Sequence, residues 1–144
     1  MDNGAELRHA LNCELVADVA HRFGEVHVKV TGTSMLPSIW PGDTIVVARQ
    51  GIDELSPGQL VLCRRGKGLV AHRIVGHRGG SLITRGDTHG DDDPPVHGSE
   101  IVGRVAAILR DGHRMDPEQS LWCRVGAWLV RRSELFRIVL LRVH

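Results

Sequence analysis

The chain predicts a mainly β, α+β domain: barrel-like antiparallel strands with an N-terminal amphipathic helix and a C-terminal helical tail. Three observations lead there. Between residues 25 and 112, short Val/Ile/Leu-rich runs alternate with glycine and proline turns. Residues 5–23 and 121–143 instead carry apolar positions at helical spacing. The full length, 144 residues, suits one hydrophobic core. The expected organisation is therefore a helix over 1–24, a β domain over 25–112 and an Arg/Trp-rich amphipathic tail over 113–144.

In the first segment Leu7, Leu11, Leu15 and Val19 recur every fourth position, and Val16, Ala20 and Phe23 widen the stripe. Asn3 suits a cap and Gly24 a stop. The polar side is not enriched in Lys or Arg, so the helix reads as docked on the domain rather than lying on a lipid surface. Strands are expected over 26–31, 44–48, 59–64, 69–75, 81–85 and 101–109. Pro41-Gly42-Asp43, Pro57-Gly58, Gly66-Lys67-Gly68, Gly79-Gly80 and the stretch 86–95 separate them.

The tail places Leu121, Trp122, Val125, Trp128 and Leu129 on a helical stripe, followed by Leu135, Phe136, Val139, Leu140 and Val143. Arg124, Arg131, Arg132, Arg137 and Arg142 against Glu134 make it net positive. It reads either as a cover for the β core or as a cationic, Trp-bearing face in peripheral contact with an anionic membrane. Its longest uncharged run, 125–130, is far below the ~20 apolar residues a membrane span needs.

Bulk properties narrow the function. A net charge of +1 recommends no nucleic-acid partner. Cys13, Cys63 and Cys123 are odd in number and far apart, which fits a reducing, cytoplasmic setting rather than a disulfide framework. None has metal-ligand spacing, and charged residues throughout the N-terminus argue against a secretory signal. No cofactor is expected.

The chemistry centres on Gly32-Thr33-Ser34-Met35-Leu36-Pro37. An alternating run through Val26, Val28 and Val30 leads into it, and Pro37 and Pro41 forbid a helix across it. A hydroxyl after a glycine in rigid, non-helical backbone is where a nucleophilic serine can be mounted, though such a serine is also a common local cap. Near neutral pH it needs a base. Arginine stays protonated, and lysine must be desolvated. Of the 18 basic residues 16 are arginines; Lys67 reads as a hairpin tip and Lys29 points away from the apolar strand face. Histidine needs no such shift. Among nine histidines, His72 sits on an apolar strand, sharing a face with Val70 and Ile74, a setting that equally suits a satisfied core residue.

Three ordered boxes carry a resemblance. Gly32 to Pro37 followed by Pro41-Gly42-Asp43 resembles the nucleophile box of the signal peptidase and LexA-type serine protease superfamily. Ala71-His72-Arg73-Ile74-Val75-Gly76 is similar to its base-bearing strand in the His-Arg form of the endoplasmic-reticulum-type signal peptidases. Leu82 to Asp87, Asp91-Asp92-Asp93 and Ile101-Val102-Gly103-Arg104-Val105 resemble the final box. The resemblance spans roughly residues 26–109. It lacks the usual N-terminal membrane anchor and leaves no room for the large inserted β region of many bacterial members.

The resemblance implies a LexA/signal-peptidase-like fold and a serine endopeptidase acting on a peptide or protein substrate. Ser34 would be the nucleophile and His72 the base. Asp93 would orient His72, with Asp92 as the near alternative, and Asp87 would ion-pair with Arg73 and shape the site. The oxyanion would be received by the Ser34 N–H with Thr33 as the nearby side-chain donor, since Gly32 stands where many members carry a hydroxyl. It also implies small side chains one and three residues before the scissile bond.

Other readings stay open. Asp87, His89, Asp91 and His97 could offer metal ligands, but their order fits neither an EF-hand nor an HExxH pattern. A LexA- or UmuD-type self-cleaving switch normally cuts at Ala-Gly or Cys-Gly, and neither dipeptide occurs; about 25 residues before the strands leave no room for a helix-turn-helix domain. A non-catalytic binding module on the same fold is the third possibility.

Overall fold

A computed structural model describes residues 3–117, with side chains from Asn12 onward. Helix α1 (Asn3–Phe23) ends at Gly24, whose φ of +78° suits the left-handed stop after a helix and whose N–H closes on the Ala20 carbonyl at 2.9 Å. Seven strands follow: β1 (Glu25–Lys29), β2 (Thr44–Ala48), β3 (Leu60–Arg65), β4 (Gly68–Arg78), β5 (Ser81–Arg85), β6 (Ile101–Arg110) and β7 (His113–Met115). The sheet extends through β7, and the apolar stripes expected at 121–143 lie outside the described residues. No described helix is long and apolar enough to cross a membrane.

All pairings are antiparallel, in the order β1-β2-β6-β3-β4-β5, with β7 on β6. Among the described residues β1 and β5 are the ends of this antiparallel sheet. Strand β6 is the hinge of the topology. It pairs with β3 through Ile101–Arg104 and with β2 through Arg104–Leu109, with register shifts at Val46/Val47 and Leu62/Cys63. The two backbones approach so closely that a Cβ at Gly103 would stand 2.3 Å from the Ala48 carbonyl oxygen.

Strand β3 reads Leu60-Val61-Leu62-Cys63 and is buried on both faces. Leu60 and Leu62 join Ile39, Ile45, Val47 and Val105 in a core roofed by α1; Val61 and Cys63 join Leu55, Ile74, Leu82 and Val96 in a second core. The helix meets the first core through Cys13, Val16, Ala17 and Ala20. The expected stripe is thus met at Val16 and Ala20 but not throughout. Leu15 and Phe23 are 60% and 77% exposed, because the close approach of helix to sheet admits the small Cys13 and Ala20, at 6% and 1%, rather than the large apolar side chains.

Candidate active site

The site forms where β4 changes partners. Gly68 to Arg73 pair with β3, and pairing with β5 begins only at Arg73 opposite Arg85. His72 therefore sits just beyond the point where β5 ends, and there the chain turns away through Gly86-Asp87-Thr88. This loop is an excursion with tied ends. Asp93 N–H donates to the Thr84 carbonyl at 2.8 Å, and Leu82 and Val96 exchange two backbone bonds, at 2.9 and 2.8 Å. Ser34 arrives from the other direction, on the turn after β1. Thr88 catches the Ser34 carbonyl with both its backbone N–H, at 3.0 Å, and its hydroxyl, at 3.1 Å.

Two contacts converge on the His72 ring. Its Nε2 lies 3.0 Å from Ser34 Oγ, and its Nδ1 lies 2.5 Å from Asp93 Oδ2. An ionised carboxylate can only accept, so the Nδ1–H faces Asp93 and Nε2 is left to accept from the serine hydroxyl. Only 7% of His72 is exposed, and the Asp93 side chain is 17% exposed. Thr84 Oγ1 donates to the same Asp93 oxygen at 2.8 Å. Hydroxyl, imidazole and carboxylate form one continuous hydrogen-bonded line in a partly desolvated corner, where such bonds are strengthened.

The aspartates of the loop separate by partner. Asp92 is held by Arg85 at the surface. Asp93, not Asp92, reaches His72. Asp87 accepts from Arg73 Nε and Nη2, each at 2.9 Å, and from the Ser38 hydroxyl at 2.8 Å. Its carboxylate thus belongs to a buried ion pair that ties the nucleophile turn to β4, and it is not bonded to His72. Arg73 also reaches the Gly58 carbonyl at 2.8 Å and Ser38 Oγ at 3.2 Å. Thr33 is exposed beside Ser34, its carbonyl accepting from Leu36 N–H at 3.3 Å.

The four residues considered as metal ligands are dispersed. Asp87 is in the ion pair, His97 bonds Ser81 and begins a short 3-10 turn, and His89 stands edge-on to His72 with ring centroids 5.5 Å apart. No group of three or more metal-ligating side chains forms among the described residues.

Ser38, Thr84, Gly86, Thr88 and Arg110 escaped the sequence reading. Gly86 is the least obvious: a Cβ there would stand 3.0 Å from the Ser34 carbonyl oxygen and His89 Nδ1 and 3.1 Å from His72 Nε2. Its place in the Gly86-Asp87 pair was the only available signal. Arg110 holds Asp43 by two bonds, at 2.9 and 2.7 Å, while Asp43 accepts from Trp40 N–H at 2.8 Å. This pins the Pro41-Gly42-Asp43 turn behind Ser34. Hydroxyl and guanidinium partners so distant in sequence carry no local periodicity.

Beside Ser34 opens a groove of about 510 Å³, floored by apolar residues such as Ile39, Ile45 and Leu62. Its flanks are backbone. Among the described residues, Leu69, Val70 and Ala71 pair with β3 on one edge only, and Thr31 and Gly32 follow the end of β1 as exposed chain. The volume falls within the range of ligand-binding clefts.

A serine–imidazole–carboxylate line at the end of an apolar groove, on an antiparallel sheet with one helix, holds the parts that acyl transfer requires: a hydroxyl, a base and a group that orients the base. The model of the peptidase S24-like family matches residues 7–106, and the chain belongs to that family, within the LexA/signal-peptidase superfamily. A comparison with curated proteins finds no match.

Proposed function

We propose that the chain is a serine endopeptidase that cleaves a peptide or leader segment in trans, closest in its site to the Ser-His form of the endoplasmic-reticulum-type signal peptidases. The observation that carries this reading is the pairing on the two nitrogens of His72: Ser34 Oγ at 3.0 Å on Nε2 and Asp93 Oδ2 at 2.5 Å on Nδ1. As Ser34 Oγ attacks the peptide carbonyl carbon, its proton passes to His72 Nε2. The imidazolium then forms against the Asp93 carboxylate, which offsets its charge. The tetrahedral oxyanion is received by the Ser34 N–H with Thr33 beside it, a preorganised donor being worth about 2.7–4 kcal/mol. Collapse breaks the C–N bond, and His72 returns the proton to the leaving amine. Water repeats the sequence to release the acyl group from Ser34.

The groove supports an extended peptide as substrate. An approaching strand can pair with the edge of residues 69–71 that no described strand takes, while its side chains enter the apolar floor. The family's self-cleaving switches, and a binding module with an inert site, are separated by one experiment. The full chain is treated with a fluorophosphonate, and adducts are mapped by mass spectrometry for wild type, Ser34→Ala and His72→Ala. The expected result is a single adduct on Ser34, abolished in both variants, with no shortening of the untreated wild-type chain. No adduct in wild type overturns the reading in favour of a binding module, and Ser34-dependent shortening of the chain itself favours the switch.

A further inference from the structure

One wall of the groove does not come from the sheet. Asn12, Cys13 and Val16, on the middle turns of α1, line it together with Leu69 to Ala71. The placement is rigid at one end. Ala20 is 1% exposed, Gly24 closes the helix on Ala20, Arg49 N–H donates to the Gly24 carbonyl at 2.8 Å, and Arg49 Nη1 donates to the His21 carbonyl at 3.2 Å. The last turn of α1 is thus bolted to the end of β2, and the preceding turns, which bear Cys13 and Val16, run on from it along the groove.

The lining chemistry says what this boundary selects. Apart from Lys29, which is exposed, every charged side chain is missing from the described lining. An ionised substrate side chain directed inward would be desolvated with no partner, so the groove favours uncharged, apolar side chains. Val16 is β-branched and rotationally stiff, which makes it a sharp limit on size, whereas Cys13, 6% exposed, lies deeper in the wall. Asn12 is exposed where the wall meets solvent.

We propose that the middle of α1, through Asn12 and Val16, sets the selectivity of the groove, admitting an extended peptide whose inward side chains are apolar and limited in size by Val16. This rests on the reading of Ser34 as the nucleophile beside the same groove. Selectivity then lies on a segment outside the three boxes that carry the chemistry, so a change in α1 alters what is cut without altering how.

The test uses the full chain carrying Ser34→Ala and a library of fluorescent peptides that vary one apolar position from Ala to Phe. Binding is read by anisotropy, alone and in combination with Val16→Ala or Asn12→Asp, and cleavage of the same library is read with Ser34 intact. Val16→Ala is expected to raise the affinity ratio of large over small apolar residues by about tenfold, the scale at which a hydrophobic pocket senses a methylene or two. Asn12→Asp is expected to favour peptides with a basic residue at the groove mouth. Preferences unchanged in both variants, or no binding of any peptide, would overturn the proposal. Binding preferences that move while wild-type Ser34 resists acylation would uphold the wall and sink the protease reading alone. Circular dichroism of each variant checks that α1 is retained.

Discussion

Thr84 Oγ1 and His72 Nδ1 meet on one atom. Both approach Asp93 Oδ2, at 2.8 and 2.5 Å, while the Asp93 N–H returns a bond to the Thr84 carbonyl at 2.8 Å. A buried threonine, 2% exposed, thereby sets both the position of the Asp93 backbone and the direction of its carboxylate. The hydrogen bond is to a charged acceptor, the stronger kind.

Thr84→Val keeps the volume of the side chain and removes that donor. A hydrogen bond to a charged group is worth about 1.5–3 kcal/mol, so peptidase activity is expected to fall on the order of 10- to 100-fold. Thr84→Ser restores most of it. Single-turnover acylation of Ser34 in the three proteins checks the expectation; equal rates for wild type and Thr84→Val would refute it.

Asp93→Asn and Asp92→Asn should differ sharply. Asp93 faces the His72 ring, and an amide there favours the wrong tautomer, a change expected to lower kcat by about 10³- to 10⁴-fold. Asp92 pairs with Arg85 at the surface, where an ion pair is worth about 0–1 kcal/mol, so its removal leaves kcat near wild type. Steady-state kinetics on one peptide substrate distinguishes them.

The two crowded glycines report on different things. An alanine Cβ at Gly86 would press on the Ser34 carbonyl and the His72 ring at 3.0–3.1 Å, so Gly86→Ala is expected to cut activity on the order of tenfold or more with a small change in melting temperature. At Gly103 the clash is 2.3 Å, against the backbone of a central strand pair. Gly103→Ala is expected to destabilise the fold by about 3 kcal/mol. Denaturant melts and acylation rates, measured together, separate the two.

Arg110→Ala leaves the Asp43 carboxylate, 2% exposed, with its cation removed. Breaking a buried pair from one side costs about 3–5 kcal/mol, and the loss should shrink when Asp43 is also changed to Asn. A double-mutant cycle in urea tests this, and additive effects would argue against the coupling.

Burial pushes the Cys63 thiol up from its ordinary 9.0 to about 12, with the neighbouring Arg65 opposing and Glu100 and Asp93 adding to the shift. Below pH 9 the thiol is neutral in both folded and unfolded chains. Above it the unfolded thiol ionises first, so this group's contribution to stability is lost between about 9 and 12. The unfolding free energy of Cys63→Val is expected to fall less than that of wild type between pH 8 and pH 10.5. Parallel slopes would count against it.

Much of the architecture was legible because it rests on local periodicity and turn chemistry. The alternation around Val26, Val28 and Val30 and the glycine turns marked the strands, and Gly24 marked the end of the helix. The expected helix face holds at Val16 and Ala20 and fails at Leu15 and Phe23 for a physical reason. Spacing reports which positions share a side, but the depth of contact decides whether Leu15 or Cys13 fits beneath it, and that depth is set by the sheet.

The site divides along the same line. By its residues alone the chain named its candidate groups: a serine on a rigid turn, few lysines to serve as base, and a histidine on an apolar strand ahead of an acidic loop. Those types are local properties, written residue by residue. What only the folded chain decided was which aspartate faces His72, that Thr84 and Thr88 hold the two ends of the line, and that α1 walls the groove. Each of these is a distance between residues far apart in sequence. Such distances arise from β4 exchanging β3 for β5 as its partner at Arg73, an event of the sheet as a whole.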